Sequence, residues 1–455
     1  MRAMAERLVV IGGDAAGMTG ATNARRGRPD LEIVVLEKGR YTSYSACGIP
    51  YLVGGAVEAL EDLVVRTPQE FRDKHRIDVR IRHEAMGIDL DARRIEVRAL
   101  DTQRTFHLGF DLLHLATGAR PVRPHLPGID ADWIHGVQTL TDAAGLLAAV
   151  EARQCRKVVV VGAGYIGLEM AEAFIDRGAA VTLVDGAPQP LRNVDPVFGA
   201  RIAEVLRGYG VEVHCGATVS GFGDHVVHTS AGDFDADLVV LGLGVTPASA
   251  LALDAGLAAG PRQSIAVDHR QRTSAEGIYA AGDCADTFHL VTRERVHIAL
   301  GTVANKSGRV AGVNLGGGYA TFPGVLGTAV TRICEVEVAR TGLAEAEALA
   351  AGIEFVSGTA EATSRAGYFP GAAPVTAKVL AERGTGRLLG GQIIGADRVG
   401  KRIDTVAAAI TGRLTAAEFV DLDLAYAPAV SPLWDPFQVA ARAAVSALEC
   451  RSQRA

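Results

Sequence analysis

The chain has 455 residues, more than one hydrophobic core grows around, so about three domains are expected. With 48% hydrophobic and 22% charged residues it is neither disordered nor fibrous, and a net charge of -6 offers no basic face for nucleic acid. No apolar run reaches the length of a membrane span, and the six scattered cysteines form no CxxC pair, so a cytoplasmic protein with reduced thiols and no metal site is expected.

The first unit, "RLVVIGGDAAGMTGATNARRGRPDLEIVVLEKG" (residues 7 to 39), reads as strand, glycine turn, helix and strand. Gly12 and Gly17 hold the outer positions of a dinucleotide turn, Asp14 occupies the middle one, and Glu37, followed by Lys38, closes the second strand. In such a unit the glycines permit a tight turn, the helix N-terminus presents N–H groups to a pyrophosphate, and the acid accepts from a ribose hydroxyl.

Next comes "YTSYSACGIPYLVGG" (41 to 55), where Cys47 stands without a second cysteine nearby. A turn at Gly48 and a helix start near Pro50 would aim backbone N–H groups at the sulfur and lower its pKa. The competing reading of the residue by itself is a small buried hydrophobe. "LLHLATGARP" (112 to 121) follows as a strand leading into Thr117 and Gly118.

"KVVVVGAGYIGLEMAEAFIDRGAAVTLVDGA" (157 to 187) repeats the first unit in complete form, with Gly162, Gly164, Gly167 and the closing Asp185. Asp185 favours a free ribose 2'-hydroxyl over a 2'-phosphate, hence NADH over NADPH, although Arg192 stands close in sequence. Two dinucleotide sites on one chain imply two cofactors, most simply a flavin that stays and a nicotinamide that comes and goes. Beyond residue 326 the chain reads as α/β: "TAVTRICEVEVARTG" is strand-like, "LAEAEALAAG" is a helix ended by glycine, "AKVLAERGTGRLLGGQIIG" is a hairpin around Gly384 to Gly386, and "KRIDTVAAAITGRLTAAEFVDL" is helical.

With "LLHLATGARP" and "TSAEGIYAAGDCAD" (273 to 286) placed after these two units, the chain resembles the flavin-dependent pyridine nucleotide-disulfide oxidoreductases over its whole length. The resemblance implies an α/β fold of two Rossmann-like domains, one for FAD and one for NAD, and a C-terminal α+β dimerisation domain. Residues 1–120 and 247–325 would hold FAD, with Asp283 on its ribityl chain; 121–246 would hold NADH, and 326–455 would pair two subunits.

The lone Cys47 departs from the dithiol members and resembles the single-cysteine branch: coenzyme A disulfide reductases, NADH-dependent persulfide reductases, NADH oxidases and NADH peroxidases. Ala15 occupies the place where peroxidases carry a histidine. Tyr368 and Tyr426 lie in segments similar to those of coenzyme A disulfide reductases, where two tyrosines reach the partner subunit's thiol site. Asn23, Arg26, Ser43, Tyr44 and His75 match the positions of that branch's coenzyme A pocket, with Arg25 a further cation, while Ala46, Asn23 and His75 differ in residue type from its usual asparagine, glutamine and lysine.

The resemblance thus implies an FAD-dependent NADH:disulfide reductase using Cys47 on coenzyme A disulfide, a coenzyme A persulfide or a related low-molecular-weight disulfide. The alternatives are an NADH oxidase cycling through a cysteine sulfenic acid, and a flavin reductase of an electron-transfer protein.

Overall fold

The two halves of the internal repeat form two five-stranded parallel sheets. The computed structural model describes residues 6–153 and 155–452. In the first sheet the order is Ile278–Ala280, Leu112–Leu115, Arg7–Ile11, Glu32–Glu37 and Asp78–Ile81, all parallel. The second runs Glu212–Cys215, Ala180–Asp185, Lys157–Val161, Leu238–Leu241 and Ile134–Gly136, again parallel. Their central strands, "RLVVI" and "KVVVV", are continuous apolar runs buried after the first residue, as a sheet covered on both faces requires.

Both central strands end in the same turn. Gly12 has φ +107 and a Cβ there would lie 2.0 Å from the Ala116 carbonyl oxygen; Gly162 has φ +105 and a Cβ would lie 2.4 Å from that of Gly242. A side chain at either position would collide with backbone, so glycine is required twice for the same reason. The helices Ala15–Gly27 and Tyr165–Asp176 start from these turns.

A two-stranded antiparallel ribbon, Ala119–Pro121 with Val245–Pro247, carries the chain out of the first sheet region and back. Thr117 Oγ1 donates to the Ala248 carbonyl at 2.6 Å, fastening its root.

The third layer is an antiparallel sheet ordered Ala329–Ile333, Val336–Gly342, Leu388–Ala396, Pro374–Glu382 and Phe355–Thr363, packed against helices Ile403–Thr411 and Pro436–Ser452. "TAVTRICEVEVARTG" is a hairpin turning at Cys334, which has φ +55, rather than one strand. The helical stretch after residue 403 breaks at Gly412 and resumes at Ala416–Val420, because the Leu414 N–H returns to Ala409 and Thr415 caps a new helix. No helix among the described residues is long and apolar enough to cross a membrane.

One hydrophobic cluster ties the three layers together beneath the Cys47 loop. Ile49, Leu52 and Val53 pack with Leu168 and Phe174 of the second unit and with Ile333, Val338 and Ile394 of the antiparallel sheet. Burying such side chains contributes about 1.5 to 3 kcal/mol each, which fixes the cysteine loop against both neighbours.

Candidate functional site

Cys47 sits in a single 3-10 turn, Ala46–Gly48, which runs into helix Ile49–Gly54. Its loop is hooked onto the first glycine turn: Ser43 N–H donates to the Gly13 carbonyl at 3.0 Å, Thr42 Oγ1 to the same oxygen, and Tyr44 N–H to Asp14 Oδ1 at 3.1 Å. Ser43 takes φ +51 to make this bend, and its carbonyl accepts from Val65 N–H at 2.8 Å. Cys47 is exposed and, like the other five cysteines, in no disulfide.

The expected lowering of the thiol pKa is not found. Partial burial pushes the Cys47 thiol up, and the carboxylates of Glu169, Asp283 and Asp14 add to this, against a smaller lowering by its own backbone N–H. The helix that follows has only six residues, and Pro50 removes a donor from its first turn.

The first nucleotide unit brings Gly12, Gly17, Glu37 and Asp283 around the same turn. Glu37 Oε2 accepts from Gly13 N–H at 2.7 Å and its Oε1 binds Gly39 N–H. Burial raises the Glu37 carboxyl, and these two N–H groups pull it back. Lys38 points away and pairs with Glu84 at 2.8 Å. Gly118 has φ +71 at the root of the ribbon.

Two neighbouring polar atoms are buried without a partner: Asp283 Oδ1 and His297 Nδ1, whose ring Nε2 lies 2.8 Å from the Asp283 carbonyl. An acceptor left bare beside a glycine turn and a helix N-terminus fits the hydroxyl-rich, pyrophosphate-bearing flavin dinucleotide. Cys284, in the same motif, is buried and packs its sulfur against the Leu115 and Ala281 carbonyls, a structural role.

The second unit repeats the acid's geometry. Asp185 accepts from Ala163 N–H and, at 2.6 Å, from Ala187 N–H, the counterparts of Gly13 and Gly39. At Gly164 nothing lies within 4 Å of where a Cβ would stand, so its backbone is open to a ligand, while at Gly167 a Cβ would lie 1.8 Å from the Gly162 carbonyl. Glu169, on the same helix, accepts from Thr331 Oγ1 at 2.9 Å and faces Cys47 electrostatically, a placement the sequence does not announce.

The expected coenzyme A residues separate. Ser43 and Tyr44 are in the Cys47 loop; burial raises the Tyr44 phenol, with Asp14 and Glu37 adding to it. Arg26 and His75 come together at the far end of the 15–27 helix, where burial first, then Arg66, Arg26 and Lys74, lower the imidazole. Arg25 is not free for phosphate: its guanidinium donates to the carbonyls of His75, Arg76, Pro29 and Leu31 at 2.6 to 2.9 Å. Asn23 is half-buried and donates to the Thr19 carbonyl at 2.8 Å.

Tyr368 and Tyr426 meet on the surface of the third layer, 79% and 45% exposed, and Val430, Leu433 and Trp434 are exposed nearby in sequence. Partial burial and then the Tyr368 hydroxyl raise the Tyr426 phenol. Arg402 holds both segments, donating to the Ser364 carbonyl at 2.9 Å and the Val430 carbonyl at 3.2 Å while pairing with Asp435. No hydrogen bond within the chain joins the tyrosines to Cys47 among the described residues.

A duplicated nucleotide fold followed by an antiparallel third layer is shared with known proteins. The pyridine nucleotide-disulphide oxidoreductase family matches residues 6–308, and its dimerisation domain matches 328–436. The chain belongs to this family. It is a flavin-dependent oxidoreductase of pyridine nucleotides.

It is 38% identical to the NAD(P)H sulfur oxidoreductase (CoA-dependent) of Pyrococcus abyssi, over 96% of this chain and 97% of that protein. It is 36% identical to an NADH oxidase of Methanocaldococcus jannaschii, over 97% and 99%. The crystal structure of reduced Bacillus anthracis CoADR-RHD superposes with a TM-score of 0.96 at 33% identity, covering 99% of this chain and 82% of that one.

Proposed function

We propose that this oxidoreductase reduces a low-molecular-weight disulfide or persulfide, coenzyme A disulfide foremost, through Cys47. The observation that carries the reading is the exposed Cys47, in no disulfide, on a loop hooked to the first nucleotide turn. The sulfur-reducing Pyrococcus relative supports the substrate class.

FAD, when bound, supplies a two-electron relay from nicotinamide to sulfur. Gly12, Gly17, Thr117, Gly118 and Asp283, with Glu37, would hold it on residues 1–120 and 247–325, Lys38 being taken up by Glu84; Gly162, Gly164, Gly167 and Asp185 would hold NADH on 121–246. The Cys47 thiolate attacks one sulfur of the disulfide, the S–S bond breaks, and the departing thiolate takes a proton. In a homodimer formed through 326–455, Tyr426 and Tyr368 of one subunit would orient and protonate that leaving group at the other subunit's Cys47. Ser43 and Tyr44 shape the thiol end of the pocket. Arg26, Lys74 and Arg66 form a cationic group around a His75 whose imidazole burial and these cations hold toward its neutral form, and that group is suited to a nucleotide phosphate, which offsets the loss of Arg25 to structural bonds.

Mass spectrometry after incubation with coenzyme A disulfide tests this reading. One coenzyme A is expected on the peptide carrying Cys47, removable by NADH under anaerobic conditions. A thiol that reacts only with oxygen, giving a sulfenic acid and no adduct, would instead favour the oxidase chemistry named for the Methanocaldococcus relative.

A further inference from the structure

Asp14 stands in the first unit where the second has Gly164, whose backbone is open. It is the N-cap of the 13-residue helix Ala15–Gly27 and makes no side-chain capping hydrogen bond; of the helix donors only the Ala15 N–H acts on its carboxylate. Its Oδ1 turns to Tyr44 N–H at 3.1 Å. The helix donors beyond Ala15 therefore stay available to an anion, and a carboxylate stands beside the place that anion takes.

The charges acting most strongly on this carboxylate are also acidic. Glu37 faces it from the end of the second strand and Asp283 from the turn after Ile278–Ala280. Tyr44 and Cys47 face it from the loop hooked onto the turn. Burial raises the Asp283 carboxyl, and His297, whose Nε2 lies 2.8 Å from the Asp283 carbonyl, offsets part of that rise.

We propose that FAD binds this chain with uptake of one proton from solvent onto Asp14, so that a neutral acid stands beside the pyrophosphate. Burial, with Glu37 and Asp283 adding to it, already pushes the Asp14 carboxyl up to about 6. A neighbouring pyrophosphate raises it further, because two like charges disfavour each other's ionised form. Above that pH the free protein carries the charge and the complex does not, so affinity for FAD falls as pH rises, approaching roughly tenfold per pH unit. The inference concerns FAD alone and is independent of the sulfur acceptor.

The test is stepwise dilution of holoenzyme between about pH 6 and pH 8, with free-flavin fluorescence giving the FAD dissociation constant. Asp14→Asn keeps an acceptor for Tyr44 N–H and removes the charge; Asp14→Gly restores the pattern of the second unit. Both variants are expected to lose one proton from the pH slope and to bind FAD more tightly than the native chain near pH 8. Slopes equal to that of the native chain, or affinities near pH 8 no higher than native, would overturn the proposal. If the asparagine variant does not fold, the glycine variant decides by the same slope and affinity.

Discussion

Lys378 Nζ lies 2.8 Å from Asp195 Oδ2, joining a strand of the antiparallel sheet to the start of helix Pro196–Gly208 beside the second parallel sheet, with both side chains almost free of solvent. Gln392 bonds the same carboxylate at 2.8 Å, and Glu345 pairs with Lys378 at 2.7 Å. This buried network fixes the second nucleotide unit against the third layer. Removing one partner strands a charge in the interior, so Lys378→Met should lower unfolding free energy by about 3 to 5 kcal/mol. Chemical denaturation measures it, and the double variant with Asp195→Asn should recover part of the loss.

Asp185 bonds two backbone N–H groups and, in the proposed nicotinamide site, would accept from the ribose. Asp185→Asn keeps an acceptor for the turn but removes the charge. The kcat/KM for NADH should fall by about tenfold, equivalent to roughly 1.4 kcal/mol, while the preference over NADPH narrows. Steady-state kinetics with the two nucleotides check both effects.

Asp185 is legible in the sequence, whereas the Lys378–Asp195 contact, made between residues far apart in the chain, is not. The repeated turns can be read because collisions with the Ala116 and Gly242 carbonyls leave only glycine at positions 12 and 162. The hairpin around Gly384 to Gly386 follows from its alternation and from the left-handed Gly386, φ +72. Glu169 beside Cys47 and Arg402 behind the tyrosines cannot be read so, because each acts on residues distant in sequence and its type is common on any helix or turn. Arg25 misleads for a related reason: a cation at a helix end looks free until folding brings four carbonyls to it. The Cys47 pKa depends first on burial and then on carboxylates from three separate segments, which together outweigh the helix start visible locally.

Those carboxylates set the pH profile of the thiol. After burial, Glu169 is the largest contribution raising the Cys47 pKa, so Glu169→Gln should lower it and increase the thiolate fraction at neutral pH. Iodoacetamide alkylation of Cys47 should speed up severalfold near pH 8, with the rate–pH curve displaced to lower pH. An unchanged curve would mean that Glu169 does not act on the sulfur.

Arg402 bridges the two tyrosine-bearing segments with its side chain largely buried. Arg402→Met should free both segments, shown by faster proteolysis within 364–372 and 426–435, and lower kcat more than it raises KM.

The proposed sharing of the tyrosines between subunits is open to a mixing test. Neither Cys47→Ser nor Tyr426→Phe dimers contain a complete site. A mixed dimer regains one if Tyr426 serves the partner subunit, because one chain supplies the thiol and the other the phenol. Disulfide reductase activity should therefore rise on mixing under conditions that exchange subunits; no recovery would place Tyr426 in its own subunit's site.

Anaerobic NADH oxidation with coenzyme A disulfide as sole acceptor shows whether Cys47 passes electrons to a disulfide. Sustained turnover by the native enzyme and its loss in Cys47→Ser are expected, with the first reduction of bound FAD by NADH preserved. Full turnover by Cys47→Ser, or none by the native enzyme despite rapid flavin reduction, would contradict that role of Cys47.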